Sequence, residues 1–187
     1  MIYNFSQTDK ADRYKLISQT VVPRPIAWIV TENDGIVNIA PFSFFTPISS
    51  EPPTVMVSVG HKTDGTPKDT LYNIRKNQKC VICSVEEKDL EPMHLSATSL
   101  GSSVSEAKKF SIETQPLLDG YPPIIKNVQS AMFCTLLKEV ELEDSTTIPI
   151  FLKIEHMYLN DADKNHLLGR VGKDYTSYSK KIILPNI

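Results

Sequence analysis

The chain has 187 residues with 20 Lys and Arg against 22 Asp and Glu, a formal net charge of −2, which is enough length to bury one core without staples. Its basic residues are scattered, so no nucleic-acid partner and no anionic-membrane partner is expected. Three cysteines make an odd count that forms no disulfide framework, and the expected setting is a reducing one, the cytoplasm.

Met1–Lys10 has neither a basic start nor an apolar stretch of signal length, and no later run approaches a membrane span, so a soluble, unprocessed protein is expected. Residues 1–187 read as a single domain without repeats or linkers.

The first β-rich run, Val21–Thr31, carries its prolines near its start, where a missing N–H is tolerated, and a strand is expected from about Ile26. Asn33-Asp34-Gly35 accepts positive φ, and Ile36–Ala40 returns in extended form, so a hairpin is expected with Pro41 ending it. Ser49–Pro53 reads as a turn. Beyond it Val55, Val57 and Val59 alternate with Thr54, Met56 and Ser58 in strand period. Gly60–Pro67 is too rich in Gly, Thr and Asp to be regular, and Asp69 or Thr70 is expected to cap a short helix bearing Leu71 and Ile74 on one face.

Cys80–Val85 reads as a further strand, and Glu87–Leu95 as a helix that Pro92 splits. Ser103-Val104-Ser105-Glu106 has the spacing of a capping box opening a helix through Phe110. After the break at Tyr121-Pro122-Pro123, Ala131–Leu142 and Ile148–Tyr158 read as two long strands paired across the turn Glu143–Thr147. In the second, Ile148, Ile150, Leu152 and Ile154 share a face. Six or more strands with short helices, and no regular βαβ alternation, predict a mainly β fold built as a closed or nearly closed antiparallel barrel.

Cys80 and Cys83 have the CxxC spelling but sit on a strand, where residues three apart face opposite ways, so both thiols are expected to be packing groups. Asp161–Asn165 imitates the opening of a calcium loop, but His166 and Gly172 stand where the glycine and the closing glutamate would be, and a turn is expected instead. His61, His94, His156 and His166 share no short spacing, so no metal site is expected. His156 is expected to be part-buried scaffold. No dinucleotide-binding glycine pattern or G-x-S-x-G elbow occurs.

What remains is chemistry for a flat polar ring and for an anion. Asn38–Phe45 mixes small residues, hydroxyls, an amide and aromatics, a composition suited to a pocket wall. Lys68, Asp69 and Thr70 at a helix start bring a lysine charge, a hydroxyl and unpaired N–H groups together, and His61 enters the loop that reaches them. No acid–base pair or triad is apparent, and no catalytic residue is assigned.

The motifs Val22–Trp28, Asn38–Phe45, Pro52-Pro53 with Val57–Gly60, Lys68–Thr70 with Asn73, and Gly169–Gly172 with Tyr175 resemble, in that order, the flavin reductase-like FMN-binding split-barrel family, in the branch that includes flavoredoxin. The resemblance implies a six-stranded antiparallel split barrel that forms a homodimer, with FMN in grooves near the subunit interface. Asn38, Ala40, Pro41, Phe42, Ser43 and Phe44 would then flank the isoalloxazine, with Ser43 hydrogen-bonding to it. Ser58, His61 and Lys62 would approach the ribityl-phosphate arm, and Lys68, Asp69 and Thr70 would complete the phosphate site. Arg170 and Tyr175 would close the groove, from this chain or its partner.

The activity implied is an oxidoreductase in which NADH or NADPH docks transiently, gives hydride to FMN and leaves, with electrons passing to a flavin or a protein acceptor. A non-catalytic FMN electron carrier without a nicotinamide site is the alternative. A pyridoxamine-phosphate-type oxidase on the same architecture rests on fold analogy alone.

Overall fold

The computed structural model describes residues 1–160 and 167–177. The expected turn at Asp161–Asn165, with His166, lies outside the described residues.

Helix α1 spans Lys10–Thr20, capped by the Asp9 carboxylate, which accepts from the Asp12 N–H at 2.8 Å. The sequence reading passed over this helix because almost nothing in it is apolar on one face, and Ser18 is its single buried residue. After it come β1 (Arg24–Pro25), β2 (Ala27–Asn33), β3 (Ile36–Phe42), β4 (Phe45–Ser50) and β5 (Pro53–Gly60), then α2 (Asp69–Asn77) and β6 (Lys79–Cys83). A short 3-10 turn at Glu87–Asp89 leads into α3 (Leu90–Leu95), followed by α4 (Glu106–Lys109), β7 (Thr114–Gln115) and β8 (Ile124–Ile125). The long strands β9 (Ser130–Glu139) and β10 (Thr147–Leu159) and the hairpin β11 (Leu168–Val171) and β12 (Asp174–Ser177) complete the described chain.

The main sheet runs β3-β2-β6-β9-β10-β5-β4, every neighbour antiparallel. Its two outermost strands are consecutive in sequence, joined by Ser43 and Phe44 alone, so the sheet must curl until its edges meet. The Ser58 N–H, donating to the Phe44 carbonyl at 2.9 Å, ties that junction to β5. Counted as two arms of one bent strand, β3 and β4 leave the six strands of a split barrel; counted separately they make seven. Pro41 therefore does not end the hairpin strand, which runs on to Phe42, and Ser49 and Ser50 belong to β4 rather than to a turn.

The alternation read in β5 packs Val55, Val57 and Val59 into the barrel interior with Ile29, Ile82, Ile150 and Leu152. Leu71 and Ile74 of α2, both fully buried, stopper that interior, each contributing about 1.5–3 kcal/mol. A second core lies on the outer face, where Trp28, Val30, Val81 and Cys83 pack under Met93, Ile112 and Ile124. Cys80 and Cys83 thus fall into different cores, both wholly buried. Burial pushes the Cys83 thiol up to about 12, and Cys80 is held high first by the hydrogen bond of its thiol with the cross-strand partner Cys134 and then by burial.

Four local expectations are corrected. Neither Asp69 nor Thr70 caps α2: the N-cap is Lys68, which makes no side-chain cap bond, and Asp69 is the first helical residue. Pro92 does not split α3, because it lies in the first turn, where its missing N–H is not needed, and the break falls at Leu90. The N-cap of α4 is Ser105 rather than Ser103, and His156 is exposed, meeting Tyr121 edge-on.

Helix α4 also protects the open edge of β3. The Ser105 hydroxyl donates to the Val37 carbonyl at 2.6 Å, and the buried Glu106 carboxylate accepts from the Ile39 N–H at 3.1 Å. Desolvation is the largest influence on Glu106 and raises its pKa. Among the described residues no helix is long and apolar enough to cross a membrane, and no cluster of three or more His, Cys, Asp or Glu is placed to hold a metal.

Candidate functional site

The bend between β3 and β4 is the hub of the site, because three adjoining recesses meet around it. The largest, about 740 Å³, is lined by Pro41, Phe42, Ser43 and Phe44 from the bend, by Ser58, Gly60 and His61 from the end of β5, and by Lys68. Its outer lips are Lys10, Arg13 and Tyr14 of α1 and the turn 142–147. The Lys10 ammonium donates to the Thr146 hydroxyl at 3.2 Å, and Tyr14 stacks on Phe44 with ring centroids 6.1 Å apart.

His61 is fixed by two bonds to one carbonyl. Its N–H and its ring Nδ1 both reach the Thr146 oxygen, at 2.8 and 3.1 Å. A carbonyl only accepts, so Nδ1 carries the hydrogen and Nε2 is left available for another group.

A second recess, about 430 Å³, shares His61 and Lys68 with the first and adds Ala40, Lys62, Asp69 and Thr70, facing the loop 96–100. Lys62 and Asp69 form an ion pair at 2.8 Å, while Lys68 has no carboxylate partner among the described residues and lies 5.7 Å from the centroid of the Phe42 ring. Asp69 and Thr70 of the first turn of α2, where N–H groups have no intrahelical partner, line the same recess with Thr98 and Ser99, while the Thr70 hydroxyl accepts from the Asn38 amide. The loop is anchored from below, since Ser96 donates to the Met93 carbonyl at 2.8 Å and accepts from the Trp28 indole at 2.9 Å.

The third recess, about 210 Å³, shares Tyr14 and Pro41–Ser43 with the first and is completed by Ile26, Met93, His94, Ala97, Arg170 and Tyr175. Arg170 and Tyr175 are paired across the β11–β12 hairpin and line this recess together with Ser43 of their own chain. That hairpin turns at Gly172, whose φ of 54° favours glycine, and Lys173 takes no positive φ.

All fourteen residues singled out in the sequence lie in or beside this system, but not alike. Asn38 is buried: its side-chain amide donates to Thr70 at 3.4 Å, and it lines a separate polar cavity behind Lys62 and Asp69. With the Asn73–Thr31 bond at 3.0 Å, it fastens α2 to the β2–β3 hairpin. The sequence reading missed Lys10, Arg13 and Tyr14, the loop 96–100 and His94. The Asp9 cap signal could have revealed α1, whereas nothing local marks the loop as part of a site.

A curled six-stranded sheet with a ring-sized groove at its bend and a cationic, hydroxyl-rich recess at one end defines a split barrel of the flavin-binding kind. Residues 19–178 match the flavin reductase like domain. An uncharacterised protein of Aquifex aeolicus is 34% identical over 184 residues, covering 94% of each chain. The solved 2-nitrobenzoate 2-nitroreductase NbaA of Pseudomonas fluorescens superposes with a TM-score of 0.89 at 26% identity, covering 100% of this chain and 96% of that one. The FMN-binding protein of Thermus thermophilus superposes at 0.81 and 17% identity, covering 99% and 100%. The chain belongs to the flavin reductase like domain family.

Proposed function

We propose that the protein is an FMN-dependent oxidoreductase that accepts hydride from NADH or NADPH and delivers electrons to a flavin or protein acceptor. The observation that carries this reading is Lys68, a cation without a carboxylate partner among the described residues, set between the groove and the hydroxyl-lined recess and over the Phe42 ring. The donor set suits FMN: Pro41, Phe42 and Phe44 offer apolar walls to a flat ring, and the cations, hydroxyls and helix N–H groups beyond offer a site for a phosphate. Bound there, the flavin would supply two-electron chemistry, the part of the reaction that no side chain here performs.

The chain's own residues then bind and orient. Lys68 and the α2 N-terminus would hold the phosphate, and Asp69 would act by keeping Lys62 in place rather than by touching the anion. Ser58, His61 and Ser43 line the groove; Ser58 and His61 Nε2 would meet hydroxyls of the ribityl arm, and Ser43 would hydrogen-bond to the ring. Asn38 would act at a distance, by setting the angle at which α2 presents Lys68 and Thr70.

The homodimer belongs to the same proposal. On and near α1, Tyr14, which lines the groove, and Ile17, Val21 and Val22 are exposed apolar groups, an arrangement suited to burial by a second copy. The enzyme named as a nitroreductase among the structural neighbours favours a catalytic reading over an electron carrier. Reconstitution with FMN tests the cofactor assignment: saturable quenching of flavin fluorescence is expected, and a chain that leaves FMN fluorescence unchanged would overturn it.

A further inference from the structure

The smallest recess has a feature the flavin reading does not use. Arg24 and Arg170 are direct partners on antiparallel β1 and β11, a register that places like charges on one face of the ladder, where they repel. Arg24 is 5% exposed. One of its amino groups, Nη1, donates to the carbonyls of Ser18 and Val21, the latter at 3.1 Å, while Nε and Nη2 are buried with no partner. Arg170 is half-buried, donates from Nε to the Gly172 carbonyl at 3.3 Å, and places its guanidinium 4.3 Å from the centroid of the Tyr175 ring. Neither arginine has an ion pair among the described residues.

Two guanidinium groups, one of them buried, are an expensive arrangement without an anion to answer them. The recess that Arg170 lines has the complementary character for such an anion. Its walls include Ile26, Phe42, Met93 and Tyr175, and its volume of about 210 Å³ suits a single substituted ring rather than a dinucleotide. At its rim the Tyr175 hydroxyl and His94 Nδ1 share a hydrogen bond of 3.0 Å, a polar pair able to meet one ring substituent.

We propose that this recess binds a small planar aromatic carboxylate, with its carboxylate on the Arg170 guanidinium and its ring between Phe42 and Tyr175. Arg24 strengthens the site from behind, by its charge. The recess shares Pro41, Phe42 and Ser43 with the main groove, so the ligand would lie beside the flavin as a co-substrate. That last step rests on the flavin reading; the binding itself does not.

The test is isothermal titration calorimetry of the full chain, with and without FMN, using benzoate, its neutral isostere benzamide, and inorganic phosphate. Benzoate is expected to bind more tightly than benzamide by about tenfold or more, the difference a charge-assisted guanidinium contact makes, and, in the FMN-loaded chain, more tightly than phosphate. Arg170→Gln should abolish the preference for benzoate and Arg170→Lys should retain part of it. Equal binding of benzoate and benzamide by the parent, tighter binding of phosphate by the FMN-loaded chain, or an undiminished preference in Arg170→Gln would overturn the proposal. The parent comparison needs no variant to fold. Because it is made without FMN as well, a failed flavin assignment leaves it standing, and its own failure leaves the flavin assignment standing.

Discussion

Lys62 and Asp69 neutralise each other across the start of α2, Nζ to Oδ1 at 2.8 Å, and so leave Lys68 as the cation at that helix end with no carboxylate partner among the described residues. The neighbouring lysines therefore have different chemistry: one braces the loop before α2 and the other is available to an anion.

Lys68→Ala should accordingly weaken FMN binding by about tenfold or more, as loss of a charge-assisted phosphate contact does. The side chain is exposed, so thermal unfolding of the FMN-free variant should match that of the FMN-free parent. Fluorescence titration and a melting curve check both halves, and a variant that holds FMN like the parent would remove Lys68 from the site.

Ser96→Ala should act from the core outward. It leaves the Trp28 indole N–H without its partner in the interior, which costs about 1–3 kcal/mol, and it releases the loop 96–100 on the proposed phosphate side. Lower denaturation midpoint together with weaker FMN retention is expected. An unchanged midpoint would mean that the buried bond carries no weight.

Much of this framework is legible in the sequence where side-chain period reports burial directly. The β5 alternation, the Asp34-Gly35 turn with both residues at positive φ, and the opposite facing of Cys80 and Cys83 all follow from local geometry. The bend at Ser43–Phe44 is not legible, because Pro41 looks like a terminator and only the meeting of two distant sheet edges carries the chain through it. Helix α1 is missed for the opposite reason: with one buried residue it has no apolar stripe to read. In the site, the residues near the bend and near Lys68 declare themselves by composition. The loop 96–100 becomes part of the site only through the long-range contact of Trp28 with Ser96.

Glu106 should give stability a pH signature. Burial raises its native pKa above the unfolded value of 4.5, so the native state keeps the proton longer than the unfolded chain. Its contribution is therefore most favourable at and below pH 4.5 and is lost as pH rises from there through the raised native value. Glu106→Gln keeps an oxygen acceptor for the Ile39 N–H without the charge. Its stability relative to the parent should improve between that pH and neutrality, measured by urea denaturation across the range. A difference that does not vary with pH would show that Glu106 titrates as an ordinary carboxyl.

Ile17→Asp tests the proposed dimer. Ile17 is 38% exposed in the single chain, so the charge should leave the fold intact while opposing burial by a second copy. Sedimentation is expected to shift from dimer to monomer with the circular dichroism unchanged; a parent that sediments as a monomer would refute the interface.

The most direct test of the central claim is the visible spectrum of the FMN-loaded protein, recorded anaerobically before and after addition of NADH and then NADPH. Bleaching of the oxidised flavin bands by one of the two is the predicted result. An oxidised spectrum that persists with both would contradict nicotinamide-dependent catalysis and leave an electron carrier as the function of this barrel.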